Sequence, residues 1–354
     1  MKKLGLASLA LGALCGIFST TITAEDWTYQ QPWESKSFDW SFSGGQFNAD
    51  VDWLYWTIKE SNLAVGTAIT VTPGTDTVPE SVSTKTIRPH FNFDSGVRAS
   101  VGYELPCKQW EIGVSYTYLP GHGTTGRHTT DATGQNGPQF ILLNTADYAL
   151  LSEIIPGGIG VSSLSAKWNA NINNLDVDVA RTINIGESFY LRPHIGFRAC
   201  WLNQKYTIDS IISVEVDPAV NDDLFTKFKE DFQGYGVEGG FWADWNLGCG
   251  LSLLGHVGGS ILYSNFKIHR NIVATRITDT GDIDEFNAHS HDHFESASPT
   301  FDYFIGLEYT NCLWNMEYRA HIGWEQHFMW DINHIARNGN LSTQGLTLGA
   351  GFTF

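Results

Sequence analysis

From about residue 47 onward, apolar and polar positions alternate with a period of two, and the 3.6-residue period of an amphipathic helix is almost absent. The last nine residues are the plainest case. Leu346, Leu348, Ala350, Phe352 and Phe354 fall on one face, with Thr347, Gly349, Gly351 and Thr353 on the other. Upstream, Trp314, Met316, Tyr318, Ala320, Ile322 and Trp324 alternate with Asn315, Glu317, Arg319, His321, Gly323 and Glu325. Phe301, Tyr303, Ile305, Leu307 and Tyr309 form another such face. The same rhythm marks about 47–58, 94–104, 110–119, 168–181, 189–204, 233–245 and 251–263. That predicts ten strands. The pattern in 64–72, 139–150, 206–216 and 266–277 is strong enough to add or extend strands, which sets a range of 10–16.

The connections fall into two classes. Residues 105–109, 182–188, 246–250 and 310–312 are short turns. Polar stretches at 59–93, 120–167, 205–232, 264–299 and 328–341 read as long loops at the opposite end. Short turns at one end and long loops at the other are the layout of an all-β transmembrane antiparallel barrel, with periplasmic turns and extracellular loops. The physical reason is the solvent. Hydrocarbon satisfies no backbone N–H or C=O, so a membrane sheet must close on itself and turn its apolar face outward. Trp53, Tyr103, Trp110, Tyr118, Trp201, Trp245, Tyr263, Tyr309, Trp314 and Trp324 sit near predicted strand ends, where aromatic girdles meet the headgroups. A chain ending on an alternating strand with a terminal Phe fits the same class.

The first residues fit that address. Lys2 and Lys3 precede an apolar run from Leu4 to Phe18 and a small-residue site at Ala24, the layout of a secretory signal over 1–24. Residues 25–45, with Trp27, Tyr29, Trp33, Phe38 and Trp40, read as a periplasmic arm or a lumen plug ahead of a barrel at 46–354. No later run reaches 18 apolar residues, so no transmembrane helix is expected. The formal charge of -17 leaves no basic surface overall to displace phosphate counterions, which excludes nucleic acid as a partner. The lipid bilayer is the expected partner, in the outer membrane of a bacterial cell.

Four stretches carry a resemblance: 50–56 (DVDWLYW), 174–181 (NLDVDVAR), 190–201 (YLRPHIGFRACW) and 345–354 (GLTLGAGFTF). Together they resemble the pore-forming outer-membrane proteins typified by the Legionella major outer membrane protein, a group that includes porins of chlamydia relatives. The resemblance implies an abundant porin that can self-associate into a homo-oligomer. It also implies cysteines able to form envelope disulfides, and it carries over no catalytic residue.

If the aromatic face meets lipid, the other face lines a lumen. Its acids are Asp50, Asp52, Glu104, Glu111, Asp176, Asp178, Glu238, Asp244, Asp302, Glu308, Glu317 and Glu325. Its bases are Arg98, Arg192, Arg198 and Arg319, joined by His194, His256, His321 and His327. Such a lining predicts cation preference. Arg192, His194 and Arg198 share one face of one strand and predict a basic stripe opposite an acidic one, a transverse field across the lumen. The competing expectation is that these charges pair across a narrow, filled barrel.

Cys107, Cys249 and Cys312 fall in predicted periplasmic turns and Cys200 within a strand. Adjacent turns lie too far apart for easy bridging, which makes disulfides with envelope partners or other barrels an expectation, with free thiols or intrachain pairs as the alternatives. His289, His291 and His293 face one way in an extended loop and are the weak candidates for a metal; no cofactor is expected. No nucleophile signature points to an enzyme. The expected function is diffusion of small hydrophilic solutes or ions. The alternative is a structural, disulfide-linked envelope protein or a surface adhesin without an open pore.

Overall fold

The computed structural model describes residues 45–72, 81–106, 109–130, 138, 140–143, 159–214, 221–277, 283–313, 316–335 and 338–354. Ten long strands form the wall: β1 (Gln46–Glu60), β2 (Phe93–Glu104), β3 (Trp110–Thr129), β4 (Ile159–Arg181), β5 (Phe189–Val214), β6 (Asn221–Gly248), β7 (Leu251–Ile277), β8 (Ile283–Leu313), β9 (Met316–Asn333) and β10 (Gly339–Thr353). Each pairs antiparallel with its sequence neighbours, and β10 pairs with β1, so the sheet closes and no barrel strand is left with a free edge. At the seam, Phe47 and Phe354 exchange backbone hydrogen bonds at 2.8 and 2.9 Å. Their rings stack with centroids 5.9 Å apart.

The register sends every second side chain outward. Val51, Trp53, Tyr55, Val97, Val101, Ile112, Val114, Ile195, Val237, Ile261, Ile305 and Ile322 are exposed on the outer face, as a lipid-facing belt requires. Aromatic residues bound it. Phe47, Trp110, Trp245, Tyr309 and Phe354 lie toward the short turns, and Tyr55, Tyr118, Tyr235, Tyr263 and Trp324 toward the other end. The turn between β6 and β7 holds Gly248, Cys249 and Gly250 all at positive φ, a conformation that favours glycine, which occupies two of the three positions.

Several expected loops are strands. Residues 205–214, 221–232, 264–277 and 283–299 continue the wall well beyond the belt, so that β8 runs for 31 residues. The backbone ladder is satisfied there as fully as in the membrane, so nothing obliges pairing to stop at the bilayer. Inside the 59–93 and 120–167 stretches, Gly66–Thr72 pairs with Ser81–Ile87 and with Phe140–Leu143 in a separate three-stranded sheet. Residues 1–44, which include the expected signal and most of the arm, lie outside the described residues, as do Cys107 and Trp314.

Candidate functional site

Within the belt most inner positions are polar, with Trp242, Leu254 and Phe304 set among them. A cavity of about 450 Å³ runs from Asn48, Glu111 and Arg192 toward the turn end up to a ceiling that includes Leu119, Ile172 and Met329. Of the residues expected on the inner face, Asp50, Asp52, Arg98, Glu111, Asp176, Asp178, Arg192, His194, Arg198, Glu238, Asp244, Asp302, Glu308, Arg319 and Glu325 line it, with His256, His321 and His327. Glu104 and Glu317 share the inward parity but sit below it. Glu104 is paired with Glu111, and Glu317 with Thr353 beside the β10 end. Glycines make the room. A Cβ on Gly349 would collide with Asp52 and His321, and one on Gly351 with Asp50.

The arginines do not form an open stripe. Arg198, whose side chain is only 10% exposed, meets Asp176 at 2.8 Å, Glu238 at 2.9 Å and Asp302 at 3.0 Å. Arg98 Nη2 donates to Glu325 at 2.7 Å and Nη1 approaches Asp52 at 3.5 Å, while its guanidinium lies 5.5 Å from the centre of the Trp56 ring. Glu325 also accepts from Thr347 at 3.1 Å and faces His327 at 2.9 Å. Nearer the turns, Arg192 pairs with Glu111 at 2.6 Å and Arg319 with Asp50 at 3.0 Å. The transverse field is therefore largely cancelled by neighbouring and cross-lumen pairing. Among the described residues Asp178, Asp244, Glu308, Glu104 and Glu317 carry no ion pair, so the excess of acid concentrates toward the turn end.

Above the ceiling the interior changes character. Leu54, Ile58, Leu119, Trp168, Ile172, Leu202, Tyr206, Phe232, Leu262 and Phe266 are all at most 3% exposed and belong to one apolar cluster. Leu63, Val65, Ile87 and Ile141, from the segments around the small sheet, pack into the same cluster, and Tyr206 donates to the Leu63 carbonyl at 3.0 Å. This layer was not anticipated from the sequence. Two acids lie within it. Glu60 is buried beside the Gln204 and Trp168 side chains, while Glu230 accepts from the His334 N–H at 3.0 Å. Both stand roughly 16 Å along the strand beyond the outer girdle residues Tyr55 and Tyr235, at about 3.3 Å per residue. Burial pushes the Glu230 carboxyl up to about 8, and burial together with the neighbouring Glu230 drives Glu60 well above the usual carboxylate range.

The other candidates fall elsewhere. Cys200 is buried on the inner face, and Cys249 and Cys312 are exposed near the turns; all three are free thiols, and no disulfide joins described residues. His289, His291 and His293 are not in a loop. They project from the outer face of β8, and no cluster of metal-ligating side chains forms among the described residues.

A family model described as "Legionella pneumophila major outer membrane protein precursor" matches residues 43–354. No curated protein matches the chain. Among solved structures, the outer membrane protease OmpT from Escherichia coli is 10% identical with a TM-score of 0.39, over 90% of this chain and 99% of that one. A major outer membrane protein from Thermus thermophilus is 13% identical with a TM-score of 0.30, over 88% and 99%. The CymD monoaromatic hydrocarbon channel is 10% identical with a TM-score of 0.32, over 88% of each chain.

Proposed function

From the premise that the chain belongs to the Legionella pneumophila major outer membrane protein family, we propose that this outer-membrane β-barrel is a cation-preferring porin for small hydrophilic solutes, here in a closed state. The observation that carries the reading is the lumen cavity with its acidic lower half. Solutes enter from the turn end past Glu104, Glu317, Asp244 and Glu308, whose charges raise the local concentration of cations in a low-dielectric cleft. The paired arginines set the narrowest polar level. Passage beyond it requires the apolar layer, and the small sheet seated on it, to move. No residue performs chemistry on the solute; size and charge do the selecting.

The apolar layer favours one rival, a barrel that serves as envelope scaffold or adhesin, and the exposed Cys249 and Cys312 suit disulfide-linked envelope partners or self-association. Conductance separates the two. Protein extracted from the outer membrane and placed in a planar bilayer under a salt gradient is expected to give discrete steps with a cation-selective reversal potential. Steps with anion selectivity would retain the pore but reassign control to Arg192 and Arg198. Silence from a heat-modifiable, correctly folded barrel would leave the scaffold reading.

A further inference from the structure

The outer face beyond the girdle carries a second organised surface. Counting outward positions across β4 to β8, three successive rows read Asn171, Asn203, Asp231, Lys267, His293; then Asn169, Lys205, Lys229, His269, His291; then Lys167, Thr207, Lys227, Asn271, His289. Five of the seven lysines among the described residues stand in this one band, on a chain whose formal charge is -17. Lys205 and Lys229 are direct cross-strand partners, and like charges so opposed repel. His269 and His291 stack beside them with ring centroids 4.5 Å apart. The acid within the three rows is Asp231, which holds Lys229 at 2.7 Å. Glu295 lies one row nearer the membrane and Asp209 one row further out. On β1 and β10 of the opposite wall, Lys59 is the one lysine at this height, beside Asn340, Ser342 and Gln344.

Unassisted, this arrangement is unfavourable, because one acid, Asp231, stands among five lysines. Its height supplies the answer. Lys205 and Lys267 stand four residues beyond Trp201 and Tyr263, roughly 10 Å above the girdle once a strand tilt near 40° is allowed for. Lysine stems are long enough to lean back toward the headgroups from there. We propose that this face of β4 to β8 binds the phosphorylated headgroup of the outer-leaflet glycolipid, with Lys205, Lys229 and Lys267 gripping phosphate and the Asn and His side chains meeting sugar hydroxyls. The proposal depends on the orientation of the barrel in the outer membrane and is independent of whether the lumen conducts.

The test uses protein extracted in mild detergent, with diphosphoryl lipid A as the probe and phosphatidylglycerol and dephosphorylated lipid A as comparisons, read by native mass spectrometry. Wild-type protein is expected to retain diphosphoryl lipid A. The Lys205→Ala, Lys229→Ala, Lys267→Ala variant should lose about tenfold or more of that binding, since each surface lysine contributes modestly to anionic-lipid affinity. Lys59→Ala, on β1, should leave it unchanged, and the Lys205→Arg, Lys229→Arg, Lys267→Arg variant should retain it. Heat-modifiability on a gel verifies folding of each variant. Equal retention by wild type and the alanine variant would overturn the proposal, as would equal binding of phosphatidylglycerol or of dephosphorylated lipid A.

Discussion

If the apolar layer is the barrier to passage, thinning it should open the barrel without disturbing the wall. Phe232 and Phe266 are the residues to remove. They are 1% and 0% exposed, their ring centroids lie 5.1 Å apart, and Phe266 also stacks on Phe294 at 4.9 Å. Each Phe→Ala change in a packed core costs on the order of 3–5 kcal/mol, and the pair, being in contact, should cost less than the sum. The wall can bear this loss because its backbone ladder is untouched by either substitution. The double variant Phe232→Ala/Phe266→Ala should therefore remain heat-modifiable with a lowered unfolding midpoint. In a planar bilayer it should show roughly several-fold more open time or conductance than wild type, because an apolar constriction blocks ions by excluding water and widening it admits water. Leu348→Ala on the lipid-facing side serves as the control for general loosening. A folded double variant with unchanged conductance would refute the layer's role as the gate.

Three further outcomes follow from the interior. Arg198→Met strips one guanidinium from Asp176, Glu238 and Asp302 and should destabilise the barrel by about 3–5 kcal/mol in a denaturant titration, with part of the loss recovered by adding Asp302→Asn. Because burial raises the Glu230 carboxyl to about 8, its neutral form stabilises fully below the ordinary glutamate range near 4.3. That contribution is lost as pH climbs to about 8, so the wild-type melting temperature should fall over this window, and Glu230→Gln should flatten the fall and be more stable than wild type at pH 9. A thiol reagent applied to folded protein should label Cys249 and Cys312 and spare Cys200 until the barrel is unfolded; labelling of Cys200 in the folded state would contradict its place inside the barrel.

The wall was legible from alternation because a membrane barrel imposes one rule on every strand, apolar outward and polar inward. Asp52, Arg98 and Gly349 share one row of the wall, all three at inward positions by that alternation. The ion pairs were not legible. Parity says which way Arg198 points, yet Asp302 is 104 residues away in sequence, with the whole of β6 and β7 between them. Ten strands spaced 4.8 Å apart and tilted near 40° enclose a backbone cylinder only about 20 Å across, so long side chains from facing strands meet. Charges counted as though each faced water therefore overstate the field. In so narrow a lumen an arginine must find carboxylates, and those left unpaired gather at the mouth, where water can reach them.

The apolar layer left a signal of a different kind, a change of phase in a rhythm that never stops. Along β6, outward Tyr235, Val237 and Phe241 give way beyond the girdle to outward Lys227, Lys229 and Asp231, while the inward set passes from Glu238 and Asp244 to Leu224, Phe228 and Phe232. β5 does the same, with outward Lys205 and Asp209 against inward Tyr206 and Ile208. Apolar-outward alternation marks strand in lipid, and apolar-inward alternation marks strand in water around an ordinary core. The residue where the phase inverts is thus the membrane boundary, and the polar look of 205–232 arises because half of its residues face solvent. Both the apolar layer and the lysine band follow from that inversion. The same strands that bury Phe232 and Phe266 inside must turn Lys229 and Lys267 outward at the height of the headgroups.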